Sequence, residues 1–308
     1  MSPDYAEQST EQRSLMNPAA YDYVTVHSIF ASTFVSHVSF IGTDEDGDPT
    51  PINLPMTAVL GSYDPEDPLP EDDGSNSQYY RQQQDPDRPM DLYLHGNCAM
   101  MLRKAVCKNG MMKVCVTATK GEFSLRGRGH PYTDLCLSVD GVVLNFTPNG
   151  HSLNYRSAVV HGTAELVSTP EERHYAMHLL TNHMIPKRWS SVNPVTPSAM
   201  KSVQVLKVTI RSASAKVRAK NMGPADSVEI ATARDDVYTG VIPLYEVLAD
   251  PVESGYSVGR PVQEHLQEWI NERNKSEQTY AVTAAENTPL DTEKISEHVK
   301  LMKGMESV

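Results

Sequence analysis

The chain holds 308 residues, with 27 basic against 39 acidic side chains and a formal net charge of −12. That length suits one large domain or two small ones with a sizeable core. The acidity argues against nucleic acid or an anionic membrane as the main partner, because polyanions bind cationic faces, and the absence of any run of about 18 apolar residues argues against a spanning helix.

The start, Met1-Ser2-Pro3-Asp4-Tyr5-Ala6-Glu7, is polar and acidic, unlike a secretory signal. Residues 1–20 read as a flexible arm. Tyr23, Val26, His27 and Phe30 recur at helical spacing, and Phe34 to Gly42 alternates as a strand does. Asp44-Glu45-Asp46-Gly47-Asp48 supplies a turn, and Pro51 to Met56 returns, giving a hairpin. Residues 62–89 carry eight acids, two arginines and five prolines, a net of −6, which is half the formal charge of the chain. With few large aliphatics this segment lacks the surface to offset its ordering entropy, so a disordered surface insertion is expected.

Strand-like runs resume at 91–95, 113–119, 135–139, 141–144, 158–166, 203–210 and 215–218, rich in β-branched residues and joined in several places by short connections that suit antiparallel pairing. Thr169 with Pro170 and Glu172 reads as a helix start, the helix running to about Met184. A second helix is expected from Pro261 through Leu266, Trp269 and Ile270. Residues 247–308 read as a C-terminal helical extension, partly flexible. Many strands and few helices suggest a mainly β protein built on a barrel.

Hydrolytic and metal chemistry find little support. The chain has no HExxH. His174 and His178 are one helical turn apart, but two histidines do not close a metal site. Cys98, Cys107, Cys115 and Cys136 form no CxxC pair, so free thiols in a reducing cytoplasm are expected, and no metal. Gly127-Arg128-Gly129 lacks the third glycine of a dinucleotide loop. The cationic pattern says more. Lys216, Arg218 and Lys220 alternate along one strand, Lys207 and Arg211 lie upstream, and Arg156 opens another strand. In an acidic chain this row is either a solvated strand face or an anion site, since arginine forks, lysines and hydroxyls hold phosphate without a glycine loop.

Several stretches resemble the FMN-binding split-barrel superfamily, the pyridoxamine 5′-phosphate oxidase-like proteins, and within it the flavin-nucleotide-binding branch that includes the nitroimidazole-resistance flavoproteins. They are Val26-His27-Ser28-Ile29 with His37-Val38-Ser39-Phe40, Leu92-Tyr93-Leu94-His95-Gly96, Asp140 to Leu144 with His151 to Val160, and Ala215-Lys216-Val217-Arg218 with Gly240 to Leu244. Together they span residues 21–246. The resemblance implies a six-stranded antiparallel split barrel with a few added helices, a homodimer, and FMN held in clefts that both subunits form. It implies an oxidoreductase acting on a small organic molecule in a tailoring or detoxification step, the flavin carrying the chemistry. The alternatives are a non-catalytic flavin- or haem-binding protein, or a member without cofactor. No residue is singled out as catalytic. The expected cofactor contacts are His95, Asn97, Arg103, Lys104, Tyr155, Arg156, Ser157, Lys216 and Arg218. Arg156, Lys216 and Arg218 are expected near the phosphate or ring edge, with His95 and Asn97 on the opposing strand exit. Three departures stand out: Met100 and Met101 where relatives place a serine and an arginine, Tyr238 where they have tryptophan, and an insertion at 120–133 carrying Arg126 and Arg128.

Overall fold

The computed structural model describes residues 4–5, 19–66, 90–95, 99–119, 139–222 and 232–287. The greater parts of the arm and of the acidic insertion lie outside these residues, as do residues 288–308 of the last extension, most of the expected strand at 135–139, Asn97, and Arg126 and Arg128. The chain divides into two compact units, residues 1–120 with 157–216, and residues 121–156 with 217–308.

The first unit is a barrel. Helix α1 (Tyr23–Ser32) starts where the Asp22 carboxylate accepts the Thr25 N–H, and buries Val26, His27, Ile29 and Phe30. Strand β1 (Ser36–Thr43) turns Ser36, Val38 and Phe40 inward. The hairpin turn to β2 (Pro49–Gly61) is closed by Asp44, whose Oδ1 accepts the N–H groups of Asp46 and Asp48, with Gly47 at φ 89° where a side chain would be strained. Strand β3 (Asp91–His95) buries Leu92, Tyr93 and Leu94 completely. Helix α2 (Ala99–Asn109) leads into β4 (Met112–Thr119).

Strands β6 (Ser152–Leu166) and β7 (Leu206–Arg218) complete the wall. The order is β4–β1–β2–β3–β7–β6, and β6 pairs back onto β4, closing six strands. The steps β1–β2, β1–β4, β2–β3, β3–β7 and β4–β6 are antiparallel, which forces the sixth, β6–β7, to be antiparallel as well. Between β6 and β7 the backbones come close at Gly162, where a Cβ would meet the Thr209 carbonyl oxygen at 2.5 Å. Helix α3 (Pro170–Met184) begins at the Thr169 cap and lays Tyr175, Ala176, Leu179 and Leu180 against Val59 and Tyr93. Short helices α4 (Arg188–Ser191) and α5 (Pro197–Ser202) follow it.

The second unit pairs β5 (Gly141–Leu144) with the start of β6 on one side and with β8 (Gly240–Pro243) on the other. Helix α6 (Glu264–Glu286) buries Ile270, Glu277, Tyr280, Ala281, Ala284 and Ala285.

Three expectations need correction. The two strands expected at 203–210 and 215–218 are one, from Leu206 to Arg218. Leu206 and Val208 point inward, then Ala213 and Ala215 do, so the alternation shifts phase within a continuous strand. Strand β6 begins at Ser152 rather than 158, so Tyr155, Arg156 and Ser157 lie inside it. The sequence reading placed no helix at 99–109; there Leu102 and Val106 are buried one turn apart, and Gly110, at φ 77°, stands just past the end.

Candidate functional site

The expected cofactor residues fall into separate groups. On β6, Tyr155 and Ser157 alternate with the buried Asn154 and Ala158 and are half-buried. The Val167 N–H donates to the Val205 carbonyl. Counting back along this antiparallel pair brings Ser157 to within about one residue of Lys216. Lys216 is exposed. In the second unit Arg218 is half-buried, and its Nη1 donates to Asn154 Oδ1 at 2.6 Å and to the Leu153 carbonyl at 3.4 Å. Burial pulls the Arg218 pKa below its ordinary value, partly opposed by Tyr155.

His95 sits elsewhere. Its Nδ1–H donates to the Gln204 carbonyl at 3.0 Å. Its neighbour Leu94 lies opposite Leu206 on β7. Lys216 is ten residues further along that strand, about 33 Å of extended chain. Arg103 and Lys104 are exposed on α2, beyond the His95 strand end, and Met101 beside them is 52% exposed. Within one chain, then, His95 and Lys216 lie far apart along β7.

Arg156 is engaged by its own chain. Its Nε and Nη2 form a fork on Asp140, at 3.0 and 2.6 Å, and Nη2 reaches Glu277 at 3.5 Å. The guanidinium lies over the Tyr280 ring, 3.5 Å from its centroid. Burial opposes the charge, but Asp140, Tyr280 and Glu277 outweigh it and hold the pKa above the usual arginine value. Asn154 completes this corner: its Oδ1 also accepts the Lys220 N–H, and its Nδ2 donates to the Ala284 carbonyl. Sequence reasoning missed Asp140, Glu277 and Tyr280 as Arg156 partners. The signal was available, since a buried arginine needs carboxylates and Glu277 and Tyr280 stand three apart on an apolar helix face.

His174 and His178 both meet the Trp189 ring edge-on, at centroid distances of 5.2 and 5.7 Å, and so pack rather than converge on a common point. Among the described residues no group of three metal-binding side chains occurs, and no helix is long and apolar enough to cross a membrane.

Residues 109–217 match the family model described as pyridoxamine 5′-phosphate oxidase. Among solved structures, the flavocytochrome Anf3 from Azotobacter vinelandii is similar at 23% identity and TM-score 0.55, covering 81% of this chain and 91% of that one. The FAD and haem binding protein from Mycobacterium smegmatis is similar at 18% identity and TM-score 0.54, covering 79% of this chain and 92% of that one. No curated protein matches the chain in sequence. The closed six-stranded barrel is thus similar in fold to these two structures, and residues 109–217 are similar to that family model.

Proposed function

We propose that this chain is an FMN-binding oxidoreductase acting on a small organic molecule, and that it works as a homodimer whose subunits each complete the other's flavin site. The observation that carries the reading is the separation of the two cationic groups along β7. Ser157 and Lys216 form one group, and His95, Arg103 and Lys104 form the other. A flavin phosphate needs several donors at once. Neither group alone offers a full set, and a two-fold dimer brings one group from each chain to one ligand.

The residues fit the group in part. Lys216 is exposed and stands near a strand hydroxyl, Ser157, which suits a phosphate dianion. Arg103 and Lys104 are exposed on one turn of α2 and supply further positive charge. The Arg156 donors are taken up by Asp140 and Glu277, so in this reading Arg156 fixes the start of β6 instead of binding phosphate. The flavin, when bound, supplies two-electron transfer, and the protein supplies binding, orientation and a shielded surface.

Titrating the apo-protein with FMN and following the quenching of flavin fluorescence tests this reading. Removing Lys216 and Ser157 together (Lys216→Ala/Ser157→Ala) should weaken binding by roughly 10- to 150-fold, the range of a lost charge-assisted contact. Unchanged affinity in a folded variant, or no FMN binding by the parent, would overturn it. The two structures of similar fold are of haem-binding as well as flavin-binding proteins, so absorption spectra recorded in the same titration separate bound flavin from bound haem.

A further inference from the structure

We propose that Cys115 and His161 form a thiol–imidazole pair on the outer wall of the barrel that reacts with small electrophiles from solvent. The pair is a product of strand register. Cys115 on β4 lies directly opposite His161 on β6. The neighbours on each strand, Val114 and Val116 on one and Val160 and Gly162 on the other, are buried. The alternation of a strand therefore turns both Cys115 and His161 away from the barrel interior. Cys115 Sγ is 3.6 Å from His161 Nε2, within hydrogen-bond reach for sulfur.

The surroundings suit a nucleophile. Thr117, two residues along on the same face, hydrogen-bonds the thiol. Ser39 lies opposite Cys115 on β1 and is itself bonded to Asn53 at 3.3 Å, so the thiol sits on a polar strip. Burial raises the Cys115 pKa and the Thr117 contact lowers it, burial being the larger effect. The neutral thiol is therefore the resting form, and attack requires a base at the sulfur. His161 Nε2 is placed to be that base, in the arrangement by which an imidazole activates a thiol or hydroxyl.

With an alkylating agent such as iodoacetamide, the Sγ–C bond forms as the C–I bond breaks. Iodide leaves, and the thiol proton passes to His161 Nε2. With a hydroperoxide, the Sγ–O bond forms as the O–O bond breaks, and the same proton accompanies the departing oxygen as water or alcohol. The product is a sulfenic acid, the reversible first step of thiol oxidation.

Iodoacetamide labelling of the full-length protein, with each cysteine followed by peptide mass spectrometry, tests the pair. Cys107, exposed on α2, serves as the internal reference. Replacing His161 by Gln keeps a polar side chain at an exposed position and removes the base. The Cys115 rate should fall at least about tenfold while the Cys107 rate stays unchanged. His161→Asn, checked by thermal melting, should give the same result and guards against a folding defect in either variant. Equal Cys115 rates in the parent and in folded His161 variants, or a Cys115 that is not labelled in the native parent, would overturn the proposal. The test does not involve flavin, so its outcome is independent of the cofactor reading.

Discussion

Each unit of this protein sets a cation against carboxylates close to a tyrosine, Arg156 in one and Lys207 in the other, and the two do so differently. In the second unit Arg156 is 12% exposed against Asp140 at 7% and Glu277 at 6%, with the Tyr280 ring beneath it. In the barrel Lys207 is 21% exposed and reaches Glu172 at 3.1 Å and Glu165 at 3.5 Å, and Glu165 is itself 46% exposed. Tyr93, fully buried, donates its hydroxyl to Glu172 at 3.0 Å. The planar arginine fork matches a carboxylate edge and stacks on an aromatic face, so it serves in a closed corner. The lysine is a flexible point charge at the rim of the α3 packing, where water still reaches the pair. The first arrangement is a structural clamp. The second is a partly solvated cap over a hydroxyl bond.

Breaking the clamp should cost most. Arg156→Met leaves the buried Asp140 carboxylate without its arginine fork and takes an ion pair from Glu277, and a loss of about 3–5 kcal/mol is expected, read as a fall in melting temperature or denaturant midpoint. A loss under about 1 kcal/mol would mean that water or another cation replaces the arginine. Alkaline pH probes both regions together. Burial, and then the nearby acids, hold the Tyr93 and Tyr280 hydroxyls well above the ordinary phenol range, although Arg156 pulls Tyr280 partly back. A raised native pKa means that the folded state keeps protons the unfolded state gives up. Stability is therefore complete below about pH 10 and falls above it by about 1.4 kcal/mol per pH unit for each tyrosine. Tyrosinate absorbance should rise together with the loss of circular dichroism; ionisation of both in a still-folded protein would contradict this. The smallest effect belongs to the barrel pair. Lys207→Met should cost about 1–2 kcal/mol, because Glu172 keeps the Tyr93 hydroxyl and gains water.

Much of the barrel was legible from residue pattern. The alternation of Ser36 to Phe40, the Asp44–Asp48 turn and the Thr169 cap each rest on local chemistry, and each lies where the sequence places it. Strand β7 was harder to read because the stretch Thr209 to Ser212, none of it buried, coincides with a shift in which side chains face inward. Among the described side chains of helix α2 the buried anchors are Leu102 and Val106, and its residue pattern gives no start signal. The site was legible as residue types but not as groupings. Arg156 reads as a free cation until α6, more than a hundred residues later, brings Glu277 beside it. The distance between His95 and Lys216 follows from strand register, which no local pattern encodes.

The central claim is that two subunits build one flavin site from groups lying far apart in each chain. Complementation tests it most directly. One variant carries Arg103→Ala/Lys104→Ala and the other Lys216→Ala/Ser157→Ala, each confirmed folded by thermal melting and each weak in FMN binding alone. Co-expression with two different affinity tags isolates the mixed dimer. The account predicts one FMN bound per mixed dimer with the affinity of the parent, because one of its two sites receives both intact groups. A mixed dimer that binds no better than either variant would contradict it.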